Sequence, residues 1–502
     1  MPVHKIFSWL IKKRIHQIDL FKQYPIEVQN ELLTNLISRA KDTEWGLKFG
    51  FDEIASYKDF KENVPLQDYD DVKPWVERLL TNEQNLLWPT DTKWFAKSSG
   101  TTSEKSKFIP VTRDSLEDCH YKAGKDLLCL YYHNHPDAKL YKGKHLVVGG
   151  SAETNSLSSD SYFGDLSAIL TKNLPWWAEI RRTPSKKIAL MKEWEEKLDK
   201  MAKATMNEDV AIIVGVPSWT LVLLKRILEI TGKSDIKEVW PNLELFMHGG
   251  VSFSPYEEQF NKIISGKMNY VETYNASEGF FGIQDTKDKK ELLLMLDYGI
   301  FFEFIPMSDY KGVNSKTIYS LEDVETGIDY ALVISTNGGL WRYLIGDTVR
   351  FTSTDPYRIV VTGRTKHFIN AFGEELVVDN AEKAIQFASE KCGVSVVDYT
   401  AAPVYMGEEA RGSHEWLIEF DEEPDDLDCF RDALDQHLKD LNSDYEAKRK
   451  GDLSLMAPHI ISAPRDTFNS WLKSKGKLGG QHKVPRLSNN RKILEDIKSF
   501  IH

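Results

Sequence analysis

Five short segments carry residue types suited to handling a nucleotide. SSGTTSEKSK (98–107) sets Ser98, Ser99, Thr101 and Thr102 around Gly100 and follows them with Lys105 and Lys107. Hydroxyls and backbone N–H groups on a turn freed by glycine can converge on an anion, and the lysines add positive charge. It is not a Walker loop, which needs a second glycine and a helix after it; the FIPVT that follows predicts a strand. In VETYNASEGFFGIQ (271–284), Tyr274 can stack on a flat heterocycle, Ser277 can donate to a phosphate oxygen and Glu278 can hold Mg²⁺. HGGVSFSP (248–255) contains Gly249 and Gly250, which permit close approach of backbone to a ligand. In GLWRYLIGDTVRF (339–351), Asp347 ends an apolar run, placed to accept from ribose hydroxyls. GGQHKVPRLSNN (479–490) offers Lys483 beyond a Gly-Gly pair. Taken singly, each is a weak signal that also reads as a surface turn, a strand end or a solvated lysine, and for Lys483 the solvated surface is the default.

The elements that must position these residues follow from hydrophobic patterning. Residues 1 to about 90 read as amphipathic helices. From there apolar strands such as HLVVGG (145–150), DVAIIVGVP (209–217) and LELFMHGG (243–250) alternate with helices such as TLVLLKRILEITGK (220–233) and SPYEEQFNKIISGK (254–267), each of which ends near a glycine. Strands alternating with helices predict an α/β fold with substantially parallel sheets. The texture changes again at GRTKHFINAFGEEL (363–376), after which helices and strands predict a smaller α+β domain. The boundaries are therefore 1–362 for a large domain and 363–502 for a small one.

Composition limits the partners. The 502 residues are 41% hydrophobic and 28% charged with a net charge of −12, a soluble globular balance that argues against nucleic acid as the main partner. The four cysteines (Cys119, Cys129, Cys392, Cys429) form no C-x-x-C pair, which fits free thiols in a cytoplasmic setting. The N-terminal MPVHKIFSWLIKKRIHQ is broken by Lys5 and lacks a cleavage site, so it predicts a packed helix rather than a signal peptide or membrane anchor.

The order of the five segments gives them meaning together. The sequence resembles the adenylate-forming enzymes, and within them the auxin-responsive Gretchen Hagen family of acyl acid–amido synthetases. The likeness runs from about residue 90 to 495; the lysine content and the departures from plant patterns fit a bacterial member. The resemblance implies the adenylate-forming fold: a large domain with mixed and parallel sheets and a β-barrel-like part flanked by helices, plus a small α+β lid. It implies ATP and Mg²⁺ as cofactors. Ser98, Ser99, Gly100, Thr101, Thr102 and Lys107 would hold the β- and γ-phosphates. Gly249 and Gly250 would press on one face of the adenine and Tyr274 on the other, with Asn275 in the same adenine-binding segment. Ser277 would contact the α-phosphate, Glu278 would bind Mg²⁺, and Asp347 with Arg364 would hold the ribose. Lys366 would be the interdomain hinge and Lys483 the adenylation lysine.

The implied reaction joins a small-molecule carboxylic acid to an amino acid or other amine through an acyl adenylate. A monomer or weak homo-oligomer is expected, with no nucleic acid and no membrane as partner. Transfer to CoA, or nucleotide binding without turnover, stays open at this point. The acyl pocket is not readable, although 116–130 and NLPWWAEIRR (173–182), with Arg181 or Arg182 to meet a carboxylate, are candidate linings.

Overall fold

The computed structural model describes residues 3–99, 106–149, 155–156, 161–191, 193–251, 253–287, 289–365, 368–406, 411–452, 454–474 and 484–501. An eleven-stranded sheet dominates the large domain. Its order is Ile300–Pro306, Asp329–Thr336, Tyr343–Thr354, Tyr357–Arg364, Leu292–Leu294, Gly279–Ile283, Asn269–Ala276, Leu245–Gly249, Val210–Gly215, Lys144–Val148 and Arg182–Thr183. From Asn269–Ala276 to Arg182–Thr183 neighbouring strands run parallel, and from Asn269–Ala276 to Ile300–Pro306 they run antiparallel. The parallel sheet expected from the sequence is thus only half of what forms. The other half is a continuous antiparallel stretch, which makes the large sheet mixed, as the family resemblance implied.

The helices Val3–Gln23 and Pro25–Ala40 cover that antiparallel half. Their buried Ile18, Phe21, Leu33 and Leu36 join the main core. Gln29 fixes the register of the packing: its side chain donates to the carbonyls of Leu296 (2.8 Å) and Ile300 (3.0 Å) and accepts from the Phe302 N–H (3.0 Å). A buried amide satisfied on both ends contributes specificity as well as stability. Arg14 ties the first helix down through Asp126 and Asp297, both at 2.6 Å. The packed N-terminal helix predicted from sequence is therefore present. No helix among the described residues is long and apolar enough to cross a membrane.

A second, four-stranded sheet carries the serine- and threonine-rich segment. Trp94–Ser99 and Ser106–Val111 pair antiparallel, with Ser98 opposite Lys107 and Ser99 opposite Ser106. The strand predicted after the serine- and threonine-rich segment is thus present as Ser106–Val111.

The small domain has its own three-stranded sheet, Val396–Val404, Ser413–Phe420 and His459–Ala463, backed by the helices Val378–Cys392 and Leu427–Leu441. Trp416, Leu417 and Ile418 in its central strand are fully buried. The chain just beyond Lys483 is stitched to the edge strand: Ala401 N–H donates to the Arg486 carbonyl and Ser488 N–H to the Ala401 carbonyl (2.8 and 3.1 Å).

Candidate nucleotide and acyl site

The parallel strands end where the antiparallel half begins, and ligands in open α/β sheets gather outside the carboxyl ends of such strands. Gly249 closes Leu245–Gly249 opposite Thr273 of the neighbouring parallel strand. A Cβ there would lie 2.5 Å from the Thr273 carbonyl oxygen, so only glycine lets the strands meet at this end. Gly250 follows with φ +82°, in the left-handed region. The glycine pair thus sits beside Thr273, Tyr274 and Asn275, as the sequence order implied.

The strands Asn269–Ala276 and Gly279–Ile283 form a two-residue hairpin whose tip is Ser277 and Glu278. Behind the tip, Tyr274 is buried and its hydroxyl donates to Asp347 Oδ2 (2.7 Å). Arg364 Nε donates to Asp347 Oδ1 (2.9 Å), and its Nη2 reaches Glu375 Oε1 (3.0 Å). The Asp347 carboxylate therefore links three of the predicted residues, with Tyr274 lying 73 positions before it and Arg364 17 after it. The turn bearing Glu375 is braced by Glu374, which accepts from the N–H groups of Ala371 and Phe372 (3.1 and 2.6 Å) and faces His414 Nε2 (2.8 Å).

The electrostatics of this group are unbalanced towards negative charge. Burial pushes the Glu278 carboxyl up to about 7; Lys107 pulls it back, while Glu375 and Asp347 push it further. Burial also raises Asp347 above the usual carboxylate range, with Arg364 and Tyr274 opposing. Burial works against the charge of Arg364, but Glu375, Asp347, Glu278 and Tyr274 outweigh it and hold the guanidinium firmly protonated. Lys107 itself is buried, its ammonium 5.5 Å from the ring centre of Tyr69. Among the described residues, three carboxyls stand against two cations, a balance that favours an incoming cation. Among the described residues no group of three or more metal-ligating side chains occurs, so a metal would have no all-protein cage here. One carboxylate plus phosphate oxygens is how Mg²⁺ is ordinarily held with nucleotides, and Glu278 fits that mode.

The structure thus brings together Lys107, Gly249, Gly250, Tyr274, Asn275, Ser277, Glu278, Asp347 and Arg364. Gly100, Thr101, Thr102, Lys105, Lys366 and Lys483 lie outside the described residues, and Ser98 and Ser99 are described only as strand positions. Two groups were missed by sequence reasoning. Glu375 belongs to the GRTKHFINAFGEEL stretch but drew no attention there. Tyr343 heads the YLIGD stretch (343–347), which resembles the family's ribose segment, but only Asp347 was singled out in it.

The candidate acyl linings part ways. Ser115–His120 forms a π-helical turn, an irregularity frequent at functional sites. Its Cys119 Sγ accepts from the Phe280 N–H (3.2 Å), which packs the turn beside the hairpin that carries Glu278. Residues 173–182 offer less. Trp176 is 77% exposed rather than packed, and Arg182 is buried in an ion pair with Glu179 (2.7 Å).

Profiles of the GH3 family N-terminal, central and C-terminal domains match residues 14–268, 293–364 and 379–492. The chain belongs to the GH3 family. It is similar to the Arabidopsis thaliana indole-3-acetic acid-amido synthetase GH3.3, at 24% identity with 94% of this chain and 91% of that protein covered. The 4-substituted benzoates-glutamate ligase GH3.12 of the same plant is also 24% identical, with 94% and 95% covered. Among solved structures, the GH3.15 acyl acid amido synthetase in complex with 2,4-DB superposes with a TM-score of 0.61 at 19% identity, covering 95% of this chain and 94% of that one. A 2-hydroxyisobutyryl-CoA ligase superposes at 0.53 with 12% identity, over 99% of this chain and 92% of the other. These likenesses bear out the adenylate-forming fold of this GH3 chain, with its separate C-terminal domain.

Proposed function

We propose that this GH3 protein is an ATP-dependent acyl acid–amido synthetase. A carboxylate oxygen attacks the α-phosphorus of ATP, the bond to the bridging oxygen breaks, and pyrophosphate leaves with the electron pair. The amine of an amino acid then attacks the acyl carbonyl, AMP departs, and the ammonium formed on attack gives up its proton. The observation that carries this reading is the Tyr274–Asp347–Arg364–Glu375 chain of hydrogen bonds beside Glu278 and Lys107, at the carboxyl ends of the parallel strands.

Two anions must meet in the first step, so the protein's work is positioning and preorganised positive charge. Lys107 and the segment 98–107 hold the outer phosphates. Tyr274 and the Gly249–Gly250 backbone flank the base, with Asn275 beside them, and Asp347, steadied by Arg364, accepts from the ribose hydroxyls. Ser277 meets the α-phosphate. Glu278, with the phosphates, would hold Mg²⁺, which would supply charge neutralisation for the leaving group. The acyl chain lies against the Ser115–His120 turn. Lys483 reaches the acyl carboxylate and the α-phosphate from the small domain, which pivots near Lys366.

ATP–pyrophosphate exchange over a panel of aryl, indolyl, fatty and hydroxy acids tests this directly. Exchange is expected with one class of acid, and Lys483→Ala should slow it by roughly 10²–10³-fold, the effect of removing one group aimed at developing charge. Exchange untouched by Lys483→Ala would remove that residue from the mechanism. Trial of amino acids against CoA after adenylation then separates amide from thioester synthesis.

A further inference from the structure

Cys392 and Cys429 lie 37 positions apart in the chain, yet the small domain sets their sulfurs 3.4 Å from each other, the Cys392 thiol donating to Cys429 Sγ. Cys392 is the last residue of the helix Val378–Cys392. Gly393 ends that helix in the left-handed region (φ +67°), its N–H donating to the Ser389 carbonyl. Cys429 stands in the first turn of Leu427–Leu441, where its N–H donates to Asp426 Oδ1 (3.0 Å). The two helices run antiparallel, because Phe387 stacks on His437 further along the same pair, with ring centres 4.3 Å apart. Both sulfurs therefore ride on capped helix ends whose register a second contact fixes.

The pair is open to reagents. Cys429 is exposed and Cys392 half-buried, whereas Cys119 of the large domain is buried, with its sulfur accepting from the Phe280 N–H. Sulfurs in contact on opposed helices need only a small side-chain adjustment to reach disulfide geometry. Burial, then the hydrogen bond to Cys429, holds the Cys392 thiol above the ordinary thiol range, with Lys391 opposing and Asp426 adding. Cys392 is thus protonated at neutral pH, which leaves the first attack to the exposed Cys429.

We propose that Cys392 and Cys429 form a reversible dithiol–disulfide site that takes a small-molecule disulfide as its oxidant. The Cys429 thiol gives up its proton, and its thiolate attacks one sulfur of the reagent, forming a mixed disulfide and expelling the other half as a thiolate. The Cys392 thiol then loses its proton to water and attacks the Cys429 sulfur, expelling the second half. The protein loses two electrons and two protons, and the reagent is reduced to two thiols. The new bond closes a loop that contains the strands Val396–Val404 and Ser413–Phe420, so the oxidised small domain is stapled around its own sheet.

Full-length wild type, Cys392→Ser and Cys429→Ser are equilibrated with oxidised and reduced glutathione and quenched in acid. Intact mass, free thiols in denaturant and thermal melting are then read. Wild type should fall from four free thiols to two and lose the mass of two hydrogens, its internal disulfide exceeding the glutathione adduct by about tenfold or more. Cys392→Ser, deprived of the resolving sulfur, should keep a stable adduct on Cys429. Cys429→Ser should react about tenfold more slowly, because its remaining thiol is the protonated one. Oxidised wild type should melt about 5 °C above the reduced form, and dithiothreitol should reverse the gain. Four thiols left in wild type, a glutathione adduct that persists on it, or a disulfide joining two copies overturns the inference. So does an oxidised form that melts no higher than the reduced one, which would mean that the helices must part to make the bond.

Discussion

On one side of the cleft, Asp347 accepts from both Tyr274 and Arg364, and Arg364 reaches on to Glu375. On the other, Glu278 carries a carboxyl raised to about 7, and Tyr343 a hydroxyl with no partner among the described residues. The first wall is complete before any ligand arrives. The second is held short of completion by the same fold, at a cost in stability. A wall that must recognise an uncharged base and sugar can be rigid in advance, since nothing about its charge changes on binding. A wall that receives phosphate and its cation must keep charge and hydrogen-bonding capacity in reserve.

The largest effect should come from breaking the completed wall. Asp347→Ala leaves the Tyr274 hydroxyl and Arg364 Nε unpaired in buried surroundings, and removing one member of such a group costs about 3 kcal/mol or more. Denaturant unfolding should show that loss, and affinity for an ATP analogue should fall with it. A variant of unchanged stability would mean that the wall is not preformed in solution.

On the incomplete wall the same kind of change should separate activity from stability. Glu278→Gln keeps the shape of the side chain and removes its charge. Acid-dependent pyrophosphate exchange should drop by roughly 10²–10³-fold. Melting at pH 8 should stay level or rise, because the wild-type carboxyl, with its raised pKa, is forced to ionise there at the expense of stability. Loss of both activity and stability would make Glu278 a structural residue and erase the contrast between the walls.

The same contrast explains what the sequence revealed. Asp347, Tyr274 and Glu278 are legible because each stands in a compact segment whose order along the chain is informative. Tyr343 is not, since a tyrosine in an apolar strand looks like core, and only the lack of a partner around its hydroxyl marks it. The strand Ser106–Val111 was foreseen because its apolar, β-branched run reads as one. The antiparallel half of the large sheet was implied by the family resemblance, with its mixed sheets, but not by the strand pattern itself. Ile300–Pro306 is buried along its whole length, and Asp329–Thr336 nearly so, because the sheet is covered on both faces. Such strands lose the alternation that distinguishes a half-exposed antiparallel strand from a parallel one. Contacts between the domains are illegible for a different reason: they pair residues hundreds of positions apart with no local pattern.

One of those contacts supplies the smallest expected effect and extends the comparison to the small domain. The helix Ser443–Arg449 lies against the strand Trp94–Ser99, and Lys448 sets its ammonium 3.9 Å from the ring centre of Trp219. Burial pushes the neighbouring Asp444 carboxyl up to about 7; Lys448 and Lys97 pull it back, and Glu375 and Asp165 push it further. Burial lowers the pKa of Lys448, against Asp444, Asp165, Glu374 and Glu375. Asp444 thus resembles the incomplete wall, a carboxyl held near neutrality rather than fixed in an ion pair. Its proton is bound more tightly in the folded protein than in the unfolded chain, whose carboxyl titrates in the usual range. The stability it contributes is therefore whole below about pH 4 and is lost as pH rises through about 7. Asp444→Asn cannot ionise and escapes that loss. Melting curves between pH 5 and pH 8 should show the variant gaining on the wild type by about 1–3 °C as pH increases. A difference that stays flat across that range would place Asp444 in water, free of the domain contact, and would confine the uncompensated charge to Glu278 and its neighbours.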